Sequence, residues 1–176
     1  MVIALTGLMN AGKSTVADYL VTQHGFVHLK FAHGLKSMLR ALGLTEDEIE
    51  GVRKELPCDK LNGRSPRYAM QTLGTEWGRV CMGQDFWVNL LVQKVQRFFA
   101  HEHVVIDDCR FPNEARAVQQ DLGGKVWRIA RGAGVLASMH ASEVDQIGVV
   151  ADTVVLNNGT IDDLLSKVDL LLTVKT

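Results

Sequence analysis

Near the N-terminus, Gly7-Leu8-Met9-Asn10-Ala11-Gly12-Lys13-Ser14 constrains this chain more than any other stretch. It fits G-x-x-x-x-G-K-[ST] at every fixed position. An apolar run, Val2-Ile3-Ala4-Leu5, precedes it, and Ser14-Thr15-Val16-Ala17-Asp18-Tyr19-Leu20 follows with a helical pattern. Strand, glycine loop and helix in that order make a phosphate cradle. The glycines let the backbone curl until successive N–H groups point inward. The helix N-terminus adds positive dipole at the same place. Lys13 supplies a mobile cation for β- and γ-phosphates, and the Ser14 hydroxyl suits Mg²⁺. Asn10, Ala11, Gly12 and Thr15 complete the nucleotide-facing turn. A chance match in a glycine-bearing turn is the plain alternative, and the flanking strand and helix argue against it. The motif specifies a bound nucleotide but not a task.

Strand-forming and helical patterns alternate along the rest of the chain. They predict an α/β architecture with a mostly parallel sheet. Strands are expected at about 2–6, 26–31, 103–107, 125–130 and 153–156. Helices are expected at about 13–24, 34–42, from Ser65-Pro66 to about Leu73, after Asp85, from Pro112 to the Gly123-Gly124 pair, and after Thr160. The stretch from Thr45 to Arg64 is more polar; it opens with the Thr45 and Glu48 spacing of a capping box and then reads as a loop at Leu56-Pro57-Cys58-Asp59-Lys60. With 176 residues the chain suits a single domain. A net charge of −1 argues against a protein that coats nucleic acid. The three cysteines form no C-x-x-C pair and read as reduced thiols. No membrane span or signal segment is expected, so the expected location is the cytoplasm.

Val104-Val105-Ile106-Asp107-Asp108-Cys109-Arg110 is an apolar strand ending in carboxylates. In open α/β sheets the ligand lies beyond the carboxyl ends of the strands, where a carboxylate can face the Mg²⁺ of a phosphate loop. The bland reading is a solvated turn capping the next helix. Strand alternation alone does not choose between Asp107 and Asp108. Arg110 suits charge neutralisation near phosphates, or equally an ion pair with Glu114. Arg67 and Gln71 share a helix face at i,i+4. One can hold a phosphate and the other a base edge, although such a pair also decorates ordinary helix surfaces. Arg131 opens a glycine-bearing loop that reads either as a lid or as plain surface.

Several blocks in order along the chain resemble the phage-type deoxynucleoside monophosphate kinases, within the P-loop nucleotide kinases. They are Gly7 to Asp18, Phe31-Ala32 with Leu35-Lys36, Ser65 to Gly78 (SPRYAMQTLGTEWG) and Asp85-Phe86-Trp87-Val88. Then come Asp108-x-Arg110-Phe111-x-x-Glu114, His140-Ala141-Ser142-Glu143 and Asn157-Asn158-Gly159. The resemblance implies a three-layer P-loop NTPase fold, adenylate-kinase-like, with a parallel sheet flanked by helices. It implies a monophosphate-binding insertion at about 34–100 and a short lid at about 131–145. ATP would be the phosphoryl donor and a deoxynucleoside monophosphate the acceptor, with Mg²⁺ as cofactor. Lys13, Arg67, Asp108, Arg110 and Arg131 would be catalytic, with Ser14 and Asp108 serving the metal. The acceptor would meet Lys36, Arg67, Gln71, Thr75, Glu76, Trp87 and Arg110. Asn157 and Gly159 would lie near adenine. Partners would be the nucleotides, with no nucleic acid polymer and no membrane. Dimers occur among such relatives, so a homodimer is allowed for.

The segment Gly132-Ala133-Gly134-Val135-Leu136-Ala137 departs from the family in carrying few charges and no proline. Three other readings stand beside this one, among them a P-loop protein that only binds nucleotide and scaffolds partners, against which Lys13, Ser14, Asp108 and Arg110 argue. A kinase of another phosphorylated metabolite, such as dephospho-coenzyme A or phosphomevalonate, would share the loop and fold. A GTP-binding switch would ordinarily carry N-K-x-D, which this chain lacks.

Overall fold

The computed structural model describes residues 1–132 and 148–173. The chain forms two compact units, one of Met1–Lys30 with Val92–Thr176, the other of Phe31–Leu91.

The first unit is built on five strands, β1 (Val2–Thr6), β2 (Val27–Leu29), β3 (Val104–Ile106), β4 (Lys125–Ala130) and β5 (Thr153–Leu156). All pairings are parallel, in the order β2-β3-β1-β4-β5. Parallel neighbours need crossovers, and helices supply them. Helix α1 (Lys13–His24) leads out of β1, α6 (Pro112–Gln120) joins β3 to β4, and α7 (Ile161–Thr173) follows β5. β1 is central and buried along its whole length. Alternation sends Ile3, Leu5, Val105, Trp127, Ile129 and Val155 to one face. There they pack with Val16, Ala17 and Leu20 of α1 and with Leu164 and Val168 of α7. α6 packs on β1 and β4, burying Ala115, Ala117 and Val118. Each large aliphatic fully buried here contributes roughly 1.5–3 kcal/mol. The sheet flanked by helices is the architecture expected.

β2 is shorter than the expected 26–31. It is an edge strand paired only with β3, which itself has three residues, so the ladder ends with its partner. α1 stops where expected. Gly25 takes φ 68° and returns its N–H to the Leu20 carbonyl, a left-handed cap that glycine adopts without strain.

The second unit contains α2 (His33–Ala41), α3 (Glu46–Ile49), 3₁₀ turns at Val52–Glu55 and Asp59–Leu61, and α4 (Pro66–Thr72). A π-helix (Leu73–Cys81) and the first turns of α5 (Phe86–Phe98) complete it. Its small core joins Leu39, Leu44 and Ile49, with Leu61, Ala69 and Met70 packed against them. The Thr45–Glu48 capping box forms, and Ser65 caps α4 with proline at the first position. The polar stretch carries one helical turn and two 3₁₀ turns, the second of which begins at Asp59 within the loop expected at Leu56–Lys60.

The helix expected to end near Leu73 instead continues as the π-helix to Cys81. Trp87 explains the wider turn. Its Nε1 donates to the Gly74 carbonyl at 2.9 Å, inside the π segment. A Cβ on Gly78 would collide with the same indole. A π segment is uncommon and recurs at functional sites.

Candidate active site

Beyond β1 the backbone turns through three positive φ angles, 138° at Gly7, 61° at Asn10 and 110° at Gly12. At Gly7 a side chain is excluded twice over, because its Cβ would also collide with the Ile129 carbonyl. The loop then enters α1 at Lys13, presenting the helix N-terminus to the space beyond the strand ends. Lys13 Nζ donates to the carbonyls of Gly7 (2.6 Å) and Leu8 (2.8 Å). The ammonium thus lies against the mouth of its own loop.

The turn after β5 closes on this loop. Asn157 is buried. Its Nδ2 donates to the Ala11 carbonyl at 2.8 Å, and its main-chain N–H extends the ladder to Ala130. Its neighbour Asn158 accepts from the Gly132 N–H through Oδ1 at 2.8 Å. That bond fixes the backbone just past Arg131.

These pieces enclose a cavity of about 390 Å³, within the range of small-molecule sites. Asn10, Gly12, Lys13, Ser14 and Thr15 line it from the loop and α1, and Arg131, Asn157 and Gly159 from the ends of β4 and β5. Ile161 and Leu164 of α7 add an apolar wall. In the sequence both fall only within the helix expected after Thr160. Nothing in their spacing marks them as cavity residues. Ala11 is buried and offers its carbonyl to Asn157 instead of a surface to the cavity.

At the end of β3 the two aspartates part. Asp107 is buried, with its carboxylate 2.9 Å from His28 Nε2 and 3.5 Å from Lys30 Nζ. By strict geometry neither His28 Nε2 nor Asp107 Oδ1 completes a hydrogen bond at this approach. Burial pushes the Asp107 carboxyl up, but His28 and Lys30 together hold it below its ordinary value. Asp108 is half-buried. Cys109 is buried, and burial, helped by Glu114 and Asp108, pushes its thiol far above the ordinary range. It is no nucleophile at neutral pH. Arg110 is exposed. Its contact with Glu114 runs through the main chain: the N–H groups of Arg110 (2.7 Å) and Phe111 (3.1 Å) donate to Glu114 Oε2. Glu114 is thereby the cap of α6. Among the described residues no three His, Cys, Asp or Glu side chains cluster as a metal cage.

The second unit holds the other residues singled out by sequence. Lys36 Nζ donates to Glu50 Oε1 at 2.7 Å. Arg67 Nε and Nη2 both donate to Glu55 Oε1, at 2.9 and 2.8 Å. Gln71 is exposed one turn further along α4, and Thr75 and Glu76 are exposed on the π-helix. Trp87 is buried, edge-on to Phe86 and packed beside Trp77. It shapes the π-helix from inside. The lid expected at about 131–145 lies, beyond Arg131 and Gly132, outside the described residues, as do His140 and Glu143. No helix among the described residues is long and apolar enough to cross a membrane.

Comparison with known proteins fits this geometry. The family model "Deoxynucleotide monophosphate kinase" matches residues 52–168. A protein of Acanthamoeba polyphaga mimivirus, provisionally designated a deoxynucleotide monophosphate kinase, is 33% identical over 187 aligned positions, spanning 96% of this chain and 94% of that one. Among solved structures, shikimate kinase from Bacteroides thetaiotaomicron aligns over 98% of both chains with a TM-score of 0.53 and 13% identity, a likeness of fold alone. With its nucleotide-phosphate loop and its kinase fold, the chain belongs to the deoxynucleotide monophosphate kinase family and is an enzyme that transfers phosphate between nucleotides.

Proposed function

We propose that this enzyme transfers the γ-phosphoryl group of ATP to a deoxynucleoside monophosphate, giving the diphosphate and ADP. The observation that carries the reading is the cavity formed by Asn10, Lys13, Ser14, Arg131 and Asn157 at the end of β1. It joins a loop turned by Gly7, Asn10 and Gly12, a helix N-terminus and two cations to an apolar wall of Ile161 and Leu164. That combination suits a triphosphate attached to a flat base.

The acceptor phosphate oxygen forms a bond to the γ-phosphorus while the bond to the β–γ bridging oxygen breaks. The nucleophile is already ionised at neutral pH, so the protein supplies alignment and charge neutralisation, not a strong base. Lys13 neutralises the β- and γ-phosphates. Arg110 and Arg131 are the further cations assigned to the transferring phosphates. Lys36 and Arg67 are assigned to the acceptor phosphate and Gln71 to its base edge. Thr75 and Glu76 complete the acceptor surface on a π-helix held by Trp87. The unit Phe31–Leu91 is then the acceptor-binding insertion.

Mg²⁺ fits the donor set. This ion keeps several waters and takes one or two protein oxygens beside substrate phosphates. One hydroxyl at the mouth of the cavity, that of Ser14, and the Asp108 carboxylate match that need, whereas a protein-only cage is not required. Asp107 is engaged by His28 and Lys30, and the assignment of Asp108 rests on the family resemblance. When bound, the ion would neutralise charge on the transferring phosphates.

A coupled ADP-release assay with Mg·ATP tests the reading, run against each deoxynucleoside and ribonucleoside monophosphate, dephospho-coenzyme A and phosphomevalonate. Turnover with one or more deoxynucleotides is expected. Turnover with a non-nucleotide acceptor alone would overturn it.

A further inference from the structure

We infer that Glu55 is a positioning residue for the acceptor phosphate, acting by fixing the guanidinium of Arg67. The inference rests on the reading that Arg67 binds that phosphate.

The geometry of the pair is particular. A single oxygen, Oε1 of Glu55, accepts from both Nε and Nη2 of Arg67, at 2.9 and 2.8 Å. A guanidinium carries five N–H donors in a rigid fork. Glu55 takes the Nε side of the fork and leaves the Nη1–Nη2 edge open, the edge that binds a phosphate bidentately. A flexible arginine must otherwise be immobilised by the ligand itself, which weakens binding.

Stability does not account for the pair. Both side chains are about half exposed, 43% for Arg67 and 55% for Glu55, and such surface pairs contribute little. Arg67 also sits in the first turn of α4, the positive end of a helix, where a cation is disfavoured. A cation kept at an unfavourable place and held by one edge is poised for an anion. The arrangement recurs nearby. Glu50, at the other end of the short stretch Glu50–Glu55, holds Lys36 through one oxygen at 2.7 Å, leaving two of the three ammonium protons for other acceptors. The two second-unit cations assigned to the acceptor, Lys36 and Arg67, are thus oriented by carboxylates from a single segment.

The conservative variant separates orientation from charge. In Glu55→Gln the amide oxygen still accepts from Arg67, whereas in Glu55→Ala nothing does. Steady-state kinetics are measured with each of the four deoxynucleoside monophosphates at saturating Mg·ATP, and then with ATP varied. Glu55→Ala is expected to raise the acceptor KM about tenfold, with ATP KM and the thermal midpoint unchanged. Glu55→Gln is expected to stay near wild type. An acceptor KM that is unchanged or lower in Glu55→Ala overturns the inference, the lower value marking Glu55 as a competitor of the phosphate. Equal damage from both variants also overturns it. Arg67→Ala run alongside reports on the parent reading: if its acceptor KM is normal, the assignment of Arg67 fails whatever Glu55 does.

Discussion

Nδ2 of Asn157 lies 2.8 Å from the carbonyl oxygen of Ala11, so the turn after β5 clasps the phosphate loop from behind. Residues 146 apart in sequence share this bond. The packing is close enough that a Cβ on Gly12 would come within 2.7 Å of the same amide nitrogen. Asn157→Ala would leave a buried carbonyl without its donor, at a cost of about 1–3 kcal/mol. The thermal midpoint should fall by roughly 2–12 °C for a chain of this size, and KM for ATP should rise as the loop loosens. A scan showing no loss of stability would mean that the clasp is dispensable.

Lys13 is the cation nearest the loop carbonyls. Removing it in Lys13→Ala should lower kcat about 10²–10³-fold, as for loss of one preorganised electrostatic group. The side chain is only half-buried, so circular dichroism and the thermal midpoint should stay close to wild type. Near-normal turnover in a folded variant would remove this cavity from the mechanism.

Glu48 predicts an acid-sensitive second unit. It accepts from Lys60 Nζ at 2.9 Å and from the Thr45 N–H at 2.7 Å. Lys60 first, and the Thr45 backbone next, hold its carboxyl at about 2, against an ordinary 4.5. The folded state therefore favours the charged form. The stabilisation is complete above the unfolded value and disappears as pH falls through the folded one. Glu48→Gln should be less stable than wild type at pH 6, and the gap should close between about pH 4.5 and 2. Unfolding curves over that range check it. A gap independent of pH would show that the carboxylate charge is not the source.

Gly78 should tolerate no side chain. Its Cβ would collide with the indole of Trp87, which also bonds the Gly74 carbonyl. Gly78→Ala must push the indole or straighten the π-helix, for about 1–3 kcal/mol of overpacking. We expect a lower urea midpoint and, because Thr75 and Glu76 ride on that helix, a raised acceptor KM with ATP KM unchanged. A neutral effect on both would show that the π turn relaxes freely.

Much of the fold was legible locally. The phosphate loop, the helix caps at Gly25, Thr45 and Ser65, and the strands around Ile3, Val105 and Ile129 each depend on residues a few positions apart. Hydrophobic alternation and turn chemistry report such short-range preferences directly. β2 and the π-helix were misjudged for a shared reason. The length of an edge strand is set by its partner β3, and the form of the Leu73–Cys81 turn by Trp87, neither visible in the local pattern.

The sequence by itself determined that a nucleotide-phosphate loop lies between a strand and a helix in a parallel α/β sheet, because glycine conformations and apolar periodicity are encoded position by position. Only the tertiary structure decided which distant side chains meet that loop and how the cations are held. The Asn157 clasp on Ala11, the apolar wall of Ile161 and Leu164, the commitment of Asp107 to His28 and Lys30, and the pairing of Arg67 with Glu55 all join separate elements. A hydrogen bond or ion pair is a property of two positions in space, and spacing along one chain does not carry it until the core has packed.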